Sequence, residues 1–355
     1  MRIVITGATG NVGSAVLRRL AADDTHDVVG VARRLPEPQA PFDTAQWHSL
    51  DLSLPESAEG LHEALSGADA VVHLAWGFQP SHDVDYLEAL GVGGTRRVLD
   101  AVDRAGVPHV VHMSSVGAYS PKRDDAPVDE SWPTGGVPSS PYSRHKAAAE
   151  RLLDEHERRH PDRIVTRLRP GIIGQGAAGS ALLRYGLPAA VPAWLVGHVP
   201  VLPLDRRLAI PMVHADDVAD AVLRVLGRRV GGAFNLATEP AIVAASVAGV
   251  LGARLVHVPS AAMRVAMSAA WHARLQPVDP GWLDLGFAVP LLDTTRARRE
   301  LDWAPTSDAL SVLAETVEGM IGAEHAASPV LRVRTVPRQL ARAVRRGPVS
   351  SRQRP

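Results

Sequence analysis

Apolar and polar positions along the chain follow two rhythms. Short runs of β-branched and apolar residues read as buried strands: Arg2–Thr6, Asp27–Ala32, Ala70–Leu74, Val110–Met113 and Ile164–Arg169. Between them lie longer stretches of helical period: Ser14–Ala22, a segment ending near Leu65, Leu87–Ala105 stopped by Gly106, and Pro141–Arg159. Strands that alternate with helices predict an α/β fold, a doubly wound parallel sheet with helices on both faces. The second half is less regular. Gly171–Leu204 is rich in Gly, Pro and apolar residues; helix returns at Asp216–Leu226 and strand at Ala233–Ala237. Leu255–Val258 reads as a short strand, and Thr294–Leu301 and Ser307–Met320 as closing helices. This pattern predicts a first domain over 1–170, to which 209–237 return, and a smaller, mostly C-terminal domain over 171–325. Residues 326–355 are expected to be a disordered basic tail, because Arg332–Pro355 holds many arginines and no acid.

The first strand runs straight into Gly7, Gly10 and Gly13, and a helix follows. One glycine allows a tight turn, the next lets backbone approach a pyrophosphate, and the third lets helix and strand pack closely. The helix N-terminus offers free N–H groups and a positive dipole end to phosphates. Strand, glycine turn and helix therefore predict a dinucleotide-binding unit of Rossmann type, with Thr9, Asn11 and Val12 carried on the same turn.

Composition narrows the field. Lys+Arg and Asp+Glu number 38 each in 355 residues, so no global field draws nucleic acid or a membrane surface. There is no cysteine, which excludes disulfides, thiolate catalysis and cysteine-held metal, and fits a reducing cytoplasm. Met1 leads directly into a strand, leaving no room for a signal peptide. Tyr185–Leu204 is uncharged and near membrane length, but Pro188, Pro192, Pro200 and Pro203 would break a spanning helix. No integral span is expected.

A second constellation supplies chemistry. Tyr142 and Lys146 stand one turn apart in a helix that Ser140 can cap and Pro141 can start. A phenol near its ordinary pKa of about 10 is a poor base at neutrality. A nearby lysine cation is expected to favour the phenolate, so that the pair exchanges a proton with a substrate hydroxyl. Ser114 and Ser115 follow the strand Val110–Met113, at the carboxyl end that faces the ligand crevice.

Together these pieces resemble the extended short-chain dehydrogenase/reductases, the NAD-dependent epimerase/dehydratase family. The resemblance rests on TGATGNVG (Thr6–Gly13), DL (Asp51–Leu52), VVHLA (Val71–Ala75), GTRRVLDA (Gly94–Ala101), SSVGAY (Ser114–Tyr119) and YSRHK (Tyr142–Lys146). It continues through RPGIIGQG (Arg169–Gly176), VHADDVADA (Val213–Ala221), FNLA (Phe234–Ala237) and ARRELDWAP (Ala297–Pro305). It implies a catalytic triad of Ser115, four residues before Tyr119, with Tyr142 as acid/base and Lys146 as the pKa-lowering and ribose-binding group. It further implies that Asp51 and Leu52 meet adenine, that Leu74, Ala75 and Trp76 line the ribose and nicotinamide, and that Pro170, Gly171 and Ile172 meet the nicotinamide amide. A homodimer is a possible assembly. Two places depart from the family pattern. Gly91 stands where an asparagine is usual, and Ile210 where nucleotide-sugar members often carry an arginine; Arg206 and Arg207 lie out of register.

After strand Asp27–Ala32 come Arg33 and Arg34 rather than the acid that NAD binding favours. Guanidinium suits a 2′-phosphate, so NADP is favoured and NAD remains possible. Ser115, Trp76 and Gln79 are the substrate candidates, with Phe78 and His82 nearby. His214, Asp216 and Asp217 read as a helix entry, and no metal is expected among the 15 histidines. Trp271, His272, Trp282 and Trp303 read as packing residues. The function expected is an NAD(P)-dependent oxidoreductase that moves hydride between nicotinamide and a secondary alcohol or ketone, with a small, fairly apolar substrate. The alternatives are a nucleotide-sugar epimerase or dehydratase and a dinucleotide-sensing regulator without turnover.

Overall fold

A computed structural model describes residues 1–22, 25–77, 81–186, 192–276 and 278–334. The first half runs β1 (Arg2–Thr6), α1 (Asn11–Leu20), β2 (Asp27–Ala32), β3 (Gln46–Ser49), α2 (Ser57–Leu65), β4 (Ala70–His73), α3 (Val84–Ala105), β5 (His109–Met113), α4 (Pro141–Arg159) and β6 (Ile164–Pro170). There follow β7 (Ile172–Gly174), α5 (Gly179–Gly186), β8 (Val201–Leu204), β9 (Ala209–His214), α6 (Ala215–Arg228), β10 (Gly232–Leu236) and β11 (Thr238–Val243). The chain closes with α7 (Ala244–Val250), β12 (Arg254–His257), α8 (Ser260–His272), α9 (Pro280–Ala288), α10 (Thr295–Leu301) and α11 (Ala309–Ile321).

Seven strands form the central sheet in the order β10-β6-β5-β4-β1-β2-β3, and every neighbouring pair is parallel. The chain leaves β1 towards β2 on one side and later returns to β4 on the other. That reversal opens a crevice at the carboxyl ends of β1 and β4. Alternation along β1 explains the layers. Ile3 and Ile5 pack with Val16 and Leu17 of α1 and Val218 and Val222 of α6. Val4, on the opposite face, packs with Leu61 of α2, Val98 of α3 and Leu153 of α4. Each such side chain contributes about 1.5–3 kcal/mol when fully buried. With both faces covered, the strands read as continuous apolar runs. The helix boundaries have the anticipated causes. Gly106 ends α3 at φ 69°, and Ser140 caps α4 with Pro141 in its first turn.

The irregular second half contains elements that the hydrophobic pattern did not mark. A three-stranded sheet, β11-β9-β7, and β8 are of this kind; β8 pairs with β12, which overlaps the expected strand Leu255–Val258, and both assemblies stand beside the main sheet. Met212 of β9 and Ile242 of β11 pack against Ala309 and Val312 of α11. Of Tyr185–Leu204, residues 187–191 lie outside the described residues, and the described remainder holds a 3-10 turn and β8. Among the described residues, no helix is long and apolar enough to cross a membrane.

The expected disordered tail needs correction over 326–334. Leu331 is buried against Ala178 and Ala181, and the Ser328 hydroxyl donates to the Thr9 carbonyl at 2.5 Å. Composition registers the arginines of this stretch. It does not register that Leu331 meets Ala178 and Ala181 and that Ser328 meets the Thr9 carbonyl. The rest of the tail, 335–355, lies outside the described residues.

Candidate active site

The glycine turn is held by contacts that leave no room for a side chain. Gly7 adopts φ +74°, and a Cβ on it would stand 2.6 Å from the Ala75 nitrogen. A Cβ on Gly13 would stand 2.5 Å from the Gly7 oxygen and 2.6 Å from the Ala8 carbonyl carbon. The first glycine thus permits the turn and the third the close packing of helix on strand. The Asn11 amide donates to the Ile173 carbonyl, and Gln175 donates to Asn11 Oδ1 at 2.6 Å, tying the turn to β7.

This turn is one end of a cavity of about 510 Å³. Gly7, Thr9, Gly10, Asn11, Val12 and Gly13 line it, with Arg33 and Arg34 after β2 and Asp51 and Leu52 after β3. Leu74, Ala75 and Trp76 after β4, Ser115, Tyr142, Lys146, and Pro170, Gly171 and Ile172 complete the wall. The structure therefore brings the sequence-predicted site residues into one crevice. Gln79, with Phe78, lies outside the described residues. His82 is not part of the wall; its ring stacks on Trp271 at 3.3 Å between centroids.

Ser115, Tyr142 and Lys146, the groups expected to handle the proton, line the same cavity. Ser115 caps a 3-10 turn, Val116–Ala118, and its hydroxyl accepts from the Gly117 N–H at 3.0 Å. It also hydrogen-bonds Tyr142. Ser143 binds this turn to α4, donating to the Gly117 carbonyl at 2.5 Å. Ser114 donates to Glu150 at 2.5 Å, whereas Ser115 is the serine that hydrogen-bonds the phenol.

The expected electrostatics of Tyr142 need correction. Burial pushes its phenol up to about 12, opposed only by the Ser115 hydrogen bond. Burial pushes Lys146 down to about 7, with Glu150 pulling it back up. Its ammonium donates to the Met113 carbonyl at 2.8 Å and lies 3.6 Å from the centre of the Trp76 ring. A cation over an indole face keeps partial stabilisation where water is excluded. One-turn spacing reports which residues share a face, not how dry that face is.

Trp76 also accounts for Gly91. A Cβ at residue 91 would stand 3.0 Å from the indole ring, so the ring fills the space beside the missing side chain. Behind it, His73 bridges Thr6 at 2.6 Å and Thr95 at 3.1 Å, and Thr95 donates to the Gly91 carbonyl. Both His73 and the adjacent His112 are buried; burial holds His73 down to about 3 and His112 well below its ordinary value.

Sequence reasoning missed several parts of the site. Trp282, read as packing, lines the crevice with its ring 4.9 Å from that of Tyr142. Ile210, Met212, Leu285 and Val289 continue the wall. Apart from Ile210, noted above as a departure from the family pattern, nothing local marks them, because they arrive on or beside β9 and α9 from the irregular half. Beneath the crevice, Glu150 takes two bonds of 2.9 Å from Arg169, and Arg169 reaches Tyr119. Burial pushes the Glu150 carboxyl up, but Arg169, Ser114 and Arg167 together pull it further down, so the net shift is downward. The position of Glu150, one turn beyond Lys146, was the available signal.

The remaining candidates fall elsewhere. His214 accepts from the Asp216 N–H at the start of α6, Asp216 pairs with Arg18, and Asp217 accepts from Thr306, as a helix entry requires. Trp303 is buried and donates to the Asp217 carbonyl. The reading that no histidines cluster overlooked a pair four residues apart. His156 and His160 come together with Asp103, their ligating atoms within 4.8 Å of one another. Arg159 and Arg163 occupy the same carboxylate, and this group lies outside the crevice.

A sequence profile described as the NAD dependent epimerase/dehydratase family matches residues 3–237. The chain is 30% identical over 337 residues to a UDP-glucose 4-epimerase of Mycolicibacterium smegmatis, covering 90% of this chain and 98% of that one. It is 31% identical over 230 residues to a decarboxylating sterol-4-alpha-carboxylate 3-dehydrogenase of Saccharomyces cerevisiae, spanning 62% of this chain and 63% of that protein's length. A dTDP-glucose 4,6-dehydratase from Streptomyces venezuelae, solved with NAD bound, shares the fold at a TM-score of 0.67 and 22% identity, covering 90% of this chain and 96% of that one.

Proposed function

The chain belongs to the NAD dependent epimerase/dehydratase family, and from that premise we propose that it reduces or oxidises a small, apolar ketone or secondary alcohol. The observation that carries this reading is the wall beyond Tyr142. Trp76, Trp282, Leu285, Val289, Ile210 and Met212 line it. Arg207 is turned outward onto Asp205 and is 75% exposed. A diphosphate-bearing substrate would need cations where this wall has carbon.

The glycine turn fits a dinucleotide, because a Cβ on Gly7 or Gly13 would fill the space backbone must keep clear. The turn and the N-terminus of α1 would hold the pyrophosphate. Asp51 and Leu52 would meet adenine, and Arg33 and Arg34 the ribose end, which favours NADP. Leu74, Ala75, Trp76, Lys146, Pro170, Gly171 and Ile172 would surround the nicotinamide. That group supplies the hydride donor or acceptor. Residues 1–170 with 209–237 would then form the cofactor domain, which also lends Trp76, Ile210 and Met212 to the substrate wall, and 171–325 would supply Trp282, Leu285 and Val289.

Tyr142 and Ser115 would share the substrate oxygen. The Ser115 hydroxyl orients it, and the Tyr142 hydroxyl gives its proton to the carbonyl oxygen on reduction. A phenol pushed up to about 12 stays protonated at neutrality, which suits that direction. On oxidation the same phenol must first lose its proton, and a cationic group bound nearby would help it do so.

A nucleotide-sugar epimerase is the second reading, favoured by the relative aligned over 90% of this chain. A substrate panel separates the two. Apolar ketones should consume NADPH, whereas UDP-sugars should be neither bound nor converted. Epimerisation of a nucleotide sugar without net cofactor consumption would overturn the first reading.

A further inference from the structure

The C-terminal segment carries charge to the mouth of the crevice. Ser328 is fastened to the Thr9 carbonyl, and Arg184 donates to the carbonyls of Val330 and Arg332. Leu331 is 1% exposed. With the segment so pinned, Arg332 has a fixed neighbour in Arg34, the second residue after β2.

Two guanidinium groups converge there on one neutral oxygen. Arg34 donates to the Pro329 carbonyl at 3.4 Å, and Arg332 donates to the same atom at 3.3 Å. Both bonds are long and easily given up. Among the described residues neither arginine forms an ion pair. Burial, then Arg332 and Arg33, pull the Arg34 guanidinium below its ordinary range. Arg33, by contrast, is already engaged: it donates to the Tyr86 hydroxyl at 2.6 Å and stands 4.0 Å from Asp51. Like charges gathered at a part-buried mouth with only a carbonyl between them favour an anion with several acceptor oxygens.

We propose that Arg34 and Arg332 together form a phosphate-monoester site, so that the C-terminal segment completes the binding of an adenosine 2′-phosphate. The inference rests on the NADP reading above and adds a residue that the β2 pattern does not contain.

Calorimetric titration of the full chain with 2′,5′-ADP and with 5′-ADP tests it without turnover. The unaltered protein should bind 2′,5′-ADP more tightly. Arg332→Ala should weaken 2′,5′-ADP about tenfold, the loss of one charge-assisted contact, and leave 5′-ADP unchanged. Arg332→Lys should restore part of the difference, because an ammonium is a point charge without the guanidinium fork. If Arg332→Ala retains the full preference, or weakens both ligands equally, the segment has no phosphate role although the NADP reading survives. If the unaltered protein shows no preference, the NADP reading fails and this inference fails with it.

Discussion

At the glycine-turn end of the crevice, the chain presents backbone. Gly7, Gly10 and Gly13 bring main-chain atoms so close that a Cβ on the first or the last would overlap its neighbours. At the Tyr142 end it presents rings: Trp76 lies edge-on to the phenol at 6.4 Å and Trp282 tilts over it at 4.9 Å. The difference is one of tolerance. A backbone-built site admits one residue type and serves a ligand part that is the same in every dinucleotide. A side-chain-built site can change its substrate by exchanging one ring.

Three substitutions probe that contrast. Gly13→Ala forces a Cβ onto the Gly7 oxygen with no flexible side chain to give way. It should abolish calorimetric binding of NADP(H) and destabilise the fold by about 1–3 kcal/mol; retained binding would break the backbone half of the comparison. Trp282→Ala should leave dinucleotide binding intact and raise KM for an apolar ketone roughly tenfold, from lost apolar contact. A parallel fall in dinucleotide affinity would show that the two ends are not separable. Gly91→Asn presses a side chain onto the Trp76 ring. It should lower the unfolding free energy by about 1–3 kcal/mol in urea and disturb the Lys146 end while the glycine turn keeps its affinity.

The smallest effect concerns pH. His112 is buried, and both its ring nitrogens lack a partner among the described residues. Burial, then His73 and Lys146, hold it neutral in the fold well below 6.5. The unfolded chain protonates near the ordinary value, so it binds the extra proton on acidification. Stability contributed by neutral His112 is therefore full above about 6.5 and lost below it, by at most about 1.4 kcal/mol per pH unit. His112→Leu should flatten the acid side of a urea-unfolding series; an unchanged slope would show that the ring is already charged or solvated.

The same contrast explains what could be read from the chain alone. Gly7, Gly10, Gly13, Tyr142 and Lys146 were visible because turn geometry and helical period fix their spacing locally, and Ser115 was singled out from the pair Ser114–Ser115 by the family resemblance. Trp282 and Arg332 were not, because α9 and the 326–334 segment reach the crevice only through tertiary packing. The shift on Tyr142 was misread for a related reason. A neighbouring lysine can be counted along a helix, but the burial that lowers its pKa depends on tertiary packing, which also lays the Trp76 ring, from the segment after β4, against its ammonium.

The central claim is that Tyr142 delivers the proton in a crevice that holds a pyridine nucleotide. The most direct test is Tyr142→Phe, with NADPH consumption by an accepted ketone followed beside calorimetric NADPH binding. Turnover should fall by a factor on the order of 10²–10⁴, as when a general acid is removed, while NADPH affinity is unchanged. Turnover equal to that of the unaltered enzyme would contradict that claim.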